Sequence, residues 1–170
     1  MAGLYRGPII DAHCHLWDLG MDRHPWLRPT GGAIQALGDL TAIRRNYLVD
    51  DYRRDAANQN VVASVHVEAG WDRADDPLAE IKWLETLDKS SGVAVRYIGF
   101  ADLAASDSGA VLDRLSEVRH CVGVRQMLSC PLLDLTHCGD IVVHPFLGSG
   151  STPAPVASAA ALSSICSTAM

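Results

Sequence analysis

The sequence predicts an α/β fold in which a parallel sheet is linked by helical crossovers. Two observations point to it. Short apolar segments alternate with amphipathic ones from Ile9 to Leu128. The apolar segments are also mostly apolar throughout, as strands buried on both faces are. Length sets the third limit. At 170 residues and 48% hydrophobic, the chain can bury one core. A closed eight-unit barrel takes roughly 250 residues. The expected architecture is therefore about four βα units around a parallel sheet over residues 1–128, too few for a complete barrel of that kind, followed by an irregular, low-complexity tail over 129–170.

Each element has its own signal. Ile9 to His15 reads as the first strand and ends in a polar cluster. Pro25, Pro29, Gly31 and Gly32 mark a loop. Asp51 to Gln59 reads as a helix with acids at its start, and Val61 to Glu68 as a Val-rich strand bounded by Gly70. Asp76-Pro77 offers an N-cap followed by proline at the first helical position. Leu78, Ile81, Leu84 and Leu87 then recur on one helix face, and Glu85 with Lys89 forms an i,i+4 pair on another. Val93 to Phe100 is the third strand. Val111, Leu115 and Val118 mark a helix beginning near Asp107 or Ser108, and Cys121 to Leu128 is the fourth strand. Right-handed crossovers are expected throughout.

Composition changes after Arg125. All 14 Lys and Arg residues lie at or before that position, and Ser129 to Met170 is dominated by Ser, Ala, Thr and Pro. The formal net charge is -6 with no basic face, which argues against a nucleic-acid partner. No apolar run approaches the roughly 20 residues of a membrane span. Met1 to Pro8 lacks the apolar stretch of a secretory leader, and Cys166 is one place too far from the end for prenylation. The five cysteines are irregularly spaced, so free thiols in a reducing cytoplasm are expected.

The chemistry centres on Asp11-Ala12-His13-Cys14-His15-Leu16-Trp17-Asp18. Alternation in a strand puts Asp11, His13 and His15 on one face. The two imidazoles then start ~7 Å apart at the backbone and can converge on one ion, since zinc sits about 2.0 Å from each nitrogen. They also end a strand, where barrel enzymes place their sites. The plainer reading is a half-buried pair of structural histidines. In Ser64-Val65-His66-Val67-Glu68, alternation groups Ser64, His66 and Glu68; His66 and Glu68 are candidate substrate contacts, or His66 bonds a neighbouring strand. Arg125, in Gly123-Val124-Arg125-Gln126, can hold a carboxylate or carbonyl in a fork, or form an ion pair. Trp26, in His24-Pro25-Trp26, is a candidate lid over the substrate or packs against the barrel mouth. Asp102 reads as a loop cap. His120, His137 and His144 carry little signal, and Cys130, His137 and Cys138 fit no common zinc spacing.

The run from Ile10 to Asp18, with His66-Val67-Glu68-Ala69 and Gly123-Val124-Arg125, resembles the amidohydrolase-related (amidohydrolase 2) proteins. The likeness extends to the TIM-barrel metal-dependent hydrolases that include sugar lactonases and 2-pyrone-4,6-dicarboxylate lactonase. It covers roughly residues 8 to 128. It implies an α/β fold that is a partial (β/α)8 TIM barrel, with about four βα units present, and hydrolysis of a lactone or similar cyclic ester by water. His13 and His15 would either bind a divalent metal, zinc foremost, or polarise the substrate without one. The family completes its site with a later-strand His and a last-strand Asp acting as general base, for which this sequence offers no matching positions. The expectation is a truncated, catalytically impaired member acting on a small lactone or carboxylate-bearing molecule. Exposed barrel edges would lead to self-association or poor stability; alternatively, residues after about Leu128 come from an altered reading frame or splice junction, which the loss of Lys and Arg suggests. A decarboxylase of the same superfamily and a non-catalytic interaction fragment are the alternatives.

Overall fold

The computed structural model describes residues 5–29 and 38–127, and the backbone of Asp140–Val143. Four parallel strands form the sheet in chain order: β1 (Ile9–Cys14), β2 (Val61–Val67), β3 (Arg96–Phe100) and β4 (Cys121–Met127). Helices α1 (Val49–Asp55), α2 (Ala79–Thr86) and α3 (Ser108–Ser116) connect them, and the whole curls into part of an α/β barrel. A fifth strand, β5 (Asp140–Val143), pairs antiparallel with β4. The sequence had predicted no strand there; the β-branched run Ile141-Val142-Val143 suits one. The rest of the 129–170 segment lies outside the described residues.

The helix stripes read from the sequence are the ones that pack. Leu78, Ile81, Leu84, Val111 and Leu115 close over Tyr97, Cys121, Val124 and Cys14, with Leu87 and Val118 at the margin. Burial of each such aliphatic side chain stabilises by roughly 1.5–3 kcal/mol. Gly99 lets this packing close. A Cβ there would lie 3.3 Å from Leu115 and 3.5 Å from Ile81.

Two local expectations change. The helix after Asp76-Pro77 starts at Ala79. Asp76 instead accepts the Leu78 N–H at 3.2 Å and bonds Lys82 and Arg114, each at 2.7 Å, which ties α2 to α3. The Lys82 hydrogen bond leads in holding its carboxyl down to about 2. Glu85 and Lys89 do not pair. The helix ends before Lys89, whose ammonium caps the Leu84 and Leu87 carbonyls, and Glu85 takes a hydrogen bond from His120 at 2.9 Å.

A bulge sets up the site. Asp11 pairs with Ser64 and Cys14 with His66, so three steps on β1 match two on β2. Asp11 therefore turns toward the helices, where its Oδ2 accepts the Tyr52 hydroxyl at 2.8 Å, and Cys14 enters the core. Burial pushes the Cys14 thiol up to about 11, as expected of an inert core cysteine. Strict alternation had grouped Asp11 with the two histidines; the extra residue separates them.

The face of the sheet away from the helices stays open among the described residues. Ile10, one step from Asp11, is 68% exposed, and Met127, on the side opposite Val124, is 48% exposed.

Candidate functional site

The polar side chains gather where β1 and β2 end. His13 and His15 bring their Nε2 atoms to 3.1 Å, with ring centroids 4.8 Å apart and planes at 80°. His15 Nδ1 lies 2.7 Å from the Val67 carbonyl. A carbonyl only accepts, so Nδ1 carries the proton and Nε2 is left as the acceptor toward His13 Nε2. Burial lowers the His15 pKa, outweighing the hydrogen bond to Val67, so the ring is neutral at neutral pH. The backbone N–H of His13 is held by Asp11 Oδ1 at 3.0 Å, which fixes the bulge beneath the pair.

This geometry can be compared with a metal's demand. Two imidazole nitrogens on a tetrahedral zinc, each about 2.0–2.1 Å from it, sit about 3.3 Å apart. The observed separation is close to that. Among the described residues, no group of three or more His, Cys, Asp or Glu side chains is placed to hold an ion. A catalytic zinc usually has three protein ligands, one more than this pair provides.

His66 is turned toward α2. Fully buried, it accepts the Leu16 N–H on Nδ1 at 3.2 Å and gives its Nε2–H to Glu80 Oε1 at 3.0 Å. The same Glu80 oxygen takes the Ala69 N–H at 2.7 Å. The ring thus braces the exit of β1 against β2 and α2, and both of its nitrogens are committed. Its centroid is 6.3 Å from that of His15.

Glu68 and Arg125 meet each other. Arg125 sets Nε at 3.2 Å and Nη2 at 2.9 Å on Glu68 Oε1, and Nη2 also reaches the Glu68 carbonyl at 2.8 Å. Glu68 Oε2 takes the Gly70 N–H at 3.0 Å and Arg73 at 2.9 Å. Arg73 lies 3.3 Å over the Phe100 ring. Ser64, grouped with Glu68 by alternation, instead lies beneath His66, where its hydroxyl accepts the Ala94 N–H at 2.9 Å. The Gly70 turn carries Glu68 beyond the strand and across to β4.

Trp26 gives its indole N–H to the Ala69 carbonyl at 2.8 Å and stacks edge-on against Trp17 at 6.1 Å. A side chain at Gly70, which has φ +70, would strike the Trp26 ring at 2.8 Å. Trp26 thus clamps the loop after β1 onto the turn after β2. Asp102 accepts the Ala104 N–H at 3.0 Å and the Gln126 amide at 3.2 Å, a turn-stabilising role. His137, His144, Cys130 and Cys138 lie outside the described residues.

The sequence reading missed Glu80, Arg73 and the burial of His24. Glu80 had a signal: it lies four residues before Leu84, on the apolar face of the helix. Arg73 had a weaker one, as a cation within reach of Glu68 across a glycine turn. His24 is 3% exposed, lies 5.4 Å from the Trp71 ring, and has no partner for either ring nitrogen among the described residues. Burial lowers its pKa, as it does for His15. Both imidazoles bind a proton more readily in the unfolded chain. Their contribution to stability is therefore complete above the ordinary histidine value of 6.5 and is lost as pH falls below it. Replacing His24 with Leu should flatten this acid limb, with stability at neutral pH unchanged or raised. Urea midpoints measured from pH 7.5 to 5 check it; an unaltered slope would show that His24 does not titrate in this window.

No family model matches the chain. Over 121 residues it is 40% identical to an uncharacterized protein, y4mH, of Sinorhizobium fredii (strain NBRC 101917 / NGR234); the match takes in 71% of this chain and 40% of the relative. Among solved structures it is similar to an amidohydrolase 2 from Bifidobacterium longum subsp. infantis, at 24% identity and a TM-score of 0.40, over 56% of this chain and 33% of that one. The chain thus spans about two fifths of the curated relative it matches. Among the described residues, no helix is long and apolar enough to cross a membrane.

Proposed function

We propose that this chain carries the first four strands of an amidohydrolase-related hydrolase that opens a lactone or similar cyclic ester by water attack. The observation that supports this best is the 3.1 Å approach of the two Nε2 atoms at the C-terminal lip of a parallel sheet. The Val67 carbonyl holds the His15 ring by its Nδ1–H and so leaves the Nε2 lone pair beside His13 Nε2. His13 and His15 would hold a divalent cation, zinc foremost, and a bound cation supplies Lewis-acid polarisation of the ester carbonyl.

The remaining roles of these residues are positional. Val67 orients His15. His66 and Glu80 brace the backbone that presents it, which is how outer residues tune ligands. Glu68, Arg125 and Trp26 satisfy one another and the backbone, so we assign them to shaping the mouth that receives the substrate. A third ligand and the general base toward water are assigned to parts of the protein outside the described residues. Assembly with a second copy through the open sheet face belongs to the same proposal, and size-exclusion chromatography tests it.

The central test is zinc binding by competition titration, followed by hydrolysis of simple lactones. His13→Ala with His15→Ala should weaken zinc by at least ~10²-fold, since outer residues alone change affinity 10–100-fold. If the double variant keeps the native zinc affinity, the site is not a metal site. Release of carbon dioxide from a carboxylate-bearing probe in place of lactone opening would move the activity to the decarboxylase class.

A further inference from the structure

The loop after β1 and the turn after β2 meet over one buried imidazole. His24 sits edge-on to the Trp71 ring, with centroids 5.4 Å apart and planes at 75°. Both of its nitrogens are shut off from solvent and have no hydrogen-bond partner among the described residues. A buried polar group without a partner is destabilising, and a buried charge far more so. The neighbouring histidines differ: His15 is held by the Val67 carbonyl, and His66 by Glu80 and the Leu16 N–H.

The contacts that join the two segments surround this ring. One residue before His24, the Arg23 carbonyl accepts the Asp72 N–H at 2.7 Å. Two residues after it, the Trp26 indole bonds the Ala69 carbonyl at 2.8 Å. Arg23 also pairs with Asp75 at 3.1 Å, and Asp75 takes the Trp71 indole N–H at 2.8 Å. Bringing water to His24 therefore means parting these bonds.

The charged and titratable groups facing the ring are Asp18 on its own loop, His66 on β2 and Glu80 on α2. Burial lowers the His24 pKa from the ordinary 6.5 and outweighs the pull of Glu80 and Asp18; His66 acts with burial. Glu80 Oε1 is already taken by His66 and the Ala69 N–H.

We propose that His24 is a proton-operated latch: neutral, it keeps the loop after β1 shut against the β2 turn, and charged, it draws in water and the loop lifts. Such local opening is separate from global unfolding. The loop begins just after His15, and Trp26 grips the chain two residues beyond the Val67 carbonyl that holds His15. Mild acid thus loosens the wall beside the histidine pair. The latch stands whether or not that pair binds metal.

The sign follows from linkage. The open loop binds a proton at the ordinary histidine value and the shut loop only below it, so opening grows as pH falls through 6.5.

Amide exchange followed by NMR on the full chain, at pH 7.5, 6.5 and 5.5 and corrected for the intrinsic effect of pH, tests this. The Asp72 N–H reports the clamp. Its protection should fall severalfold from pH 7.5 to 5.5, up to about tenfold, the limit for one proton taken up by the open form alone. At each pH it should lie at least about tenfold below that of the Ser64 N–H, which bonds the Gly92 carbonyl within the sheet. His24→Phe, or His24→Leu should the first not fold, should make Asp72 protection independent of pH, whereas His15→Ala should keep the response. Three results would overturn the latch: no pH response at Asp72, protection at Asp72 equal to that at Ser64, or a response that survives replacement of His24.

Discussion

Glu68→Ala is expected to destabilise the protein by about 3–5 kcal/mol. Glu68 is fully buried and Arg125 is 6% exposed, so solvent screens their contact little. Removing the carboxylate leaves the guanidinium in the interior with its main counter-charge gone. It also releases Arg73 and the Gly70 N–H, which share the second carboxylate oxygen. Domains have only about 5–15 kcal/mol in hand, so this variant should lie near its unfolding midpoint at ambient temperature. Urea denaturation followed by circular dichroism measures the loss. Exchanging both partners, Glu68→Leu with Arg125→Met, should recover most of it, because an apolar pair avoids the desolvation cost. A single-variant loss under about 1 kcal/mol, the range of exposed ion pairs, would mean that the contact is solvated.

Glu80→Ala should cost about 2–6 kcal/mol, because it orphans two buried donors, His66 Nε2–H and Ala69 N–H, at about 1–3 kcal/mol each. Its effect should also reach the histidine pair. His66 holds the Leu16 N–H, next in the chain to His15. Loss of the brace should weaken zinc about 10–100-fold, as loss of an outer partner does. Glu80→Gln keeps an oxygen acceptor and should retain most of both properties. Acid discriminates further. Burial raises the Glu80 pKa, but the His66 and Ala69 bonds prevail and hold it below the ordinary value of 4.5. The stability it confers is thus present above that value and fades as pH falls through the depressed folded-state value. Glu80→Gln should remove this portion of the acid limb. Native zinc affinity in a folded Glu80→Ala variant would refute the bracing role.

The fold was legible in the sequence because its signals are local. The Leu78-Ile81-Leu84-Leu87 stripe and the Val111-Leu115 pair each report one helix's buried face, and both pack; the Val-rich run located β2, whose fully buried side chains are nevertheless Ser64 and His66. The H-x-H spacing likewise marked the two residues that converge. The alternation rule failed at Asp11 because a bulge depends on what the neighbouring strand offers. The Glu85–Lys89 pairing failed because α2 stops before Lys89, leaving its ammonium to cap carbonyls.

By itself the sequence determined the α/β class, the parallel order of β1 to β4 and the candidacy of His13 and His15. These follow from hydrophobic periodicity and residue chemistry, which act along the chain. The tertiary structure alone decided that His66 faces Glu80 and that Glu68 and Arg125 satisfy each other. The first pairing joins residues 14 apart and the second residues 57 apart, each on different elements. Such pairings depend on how far strands slide and twist against one another, which no local pattern records.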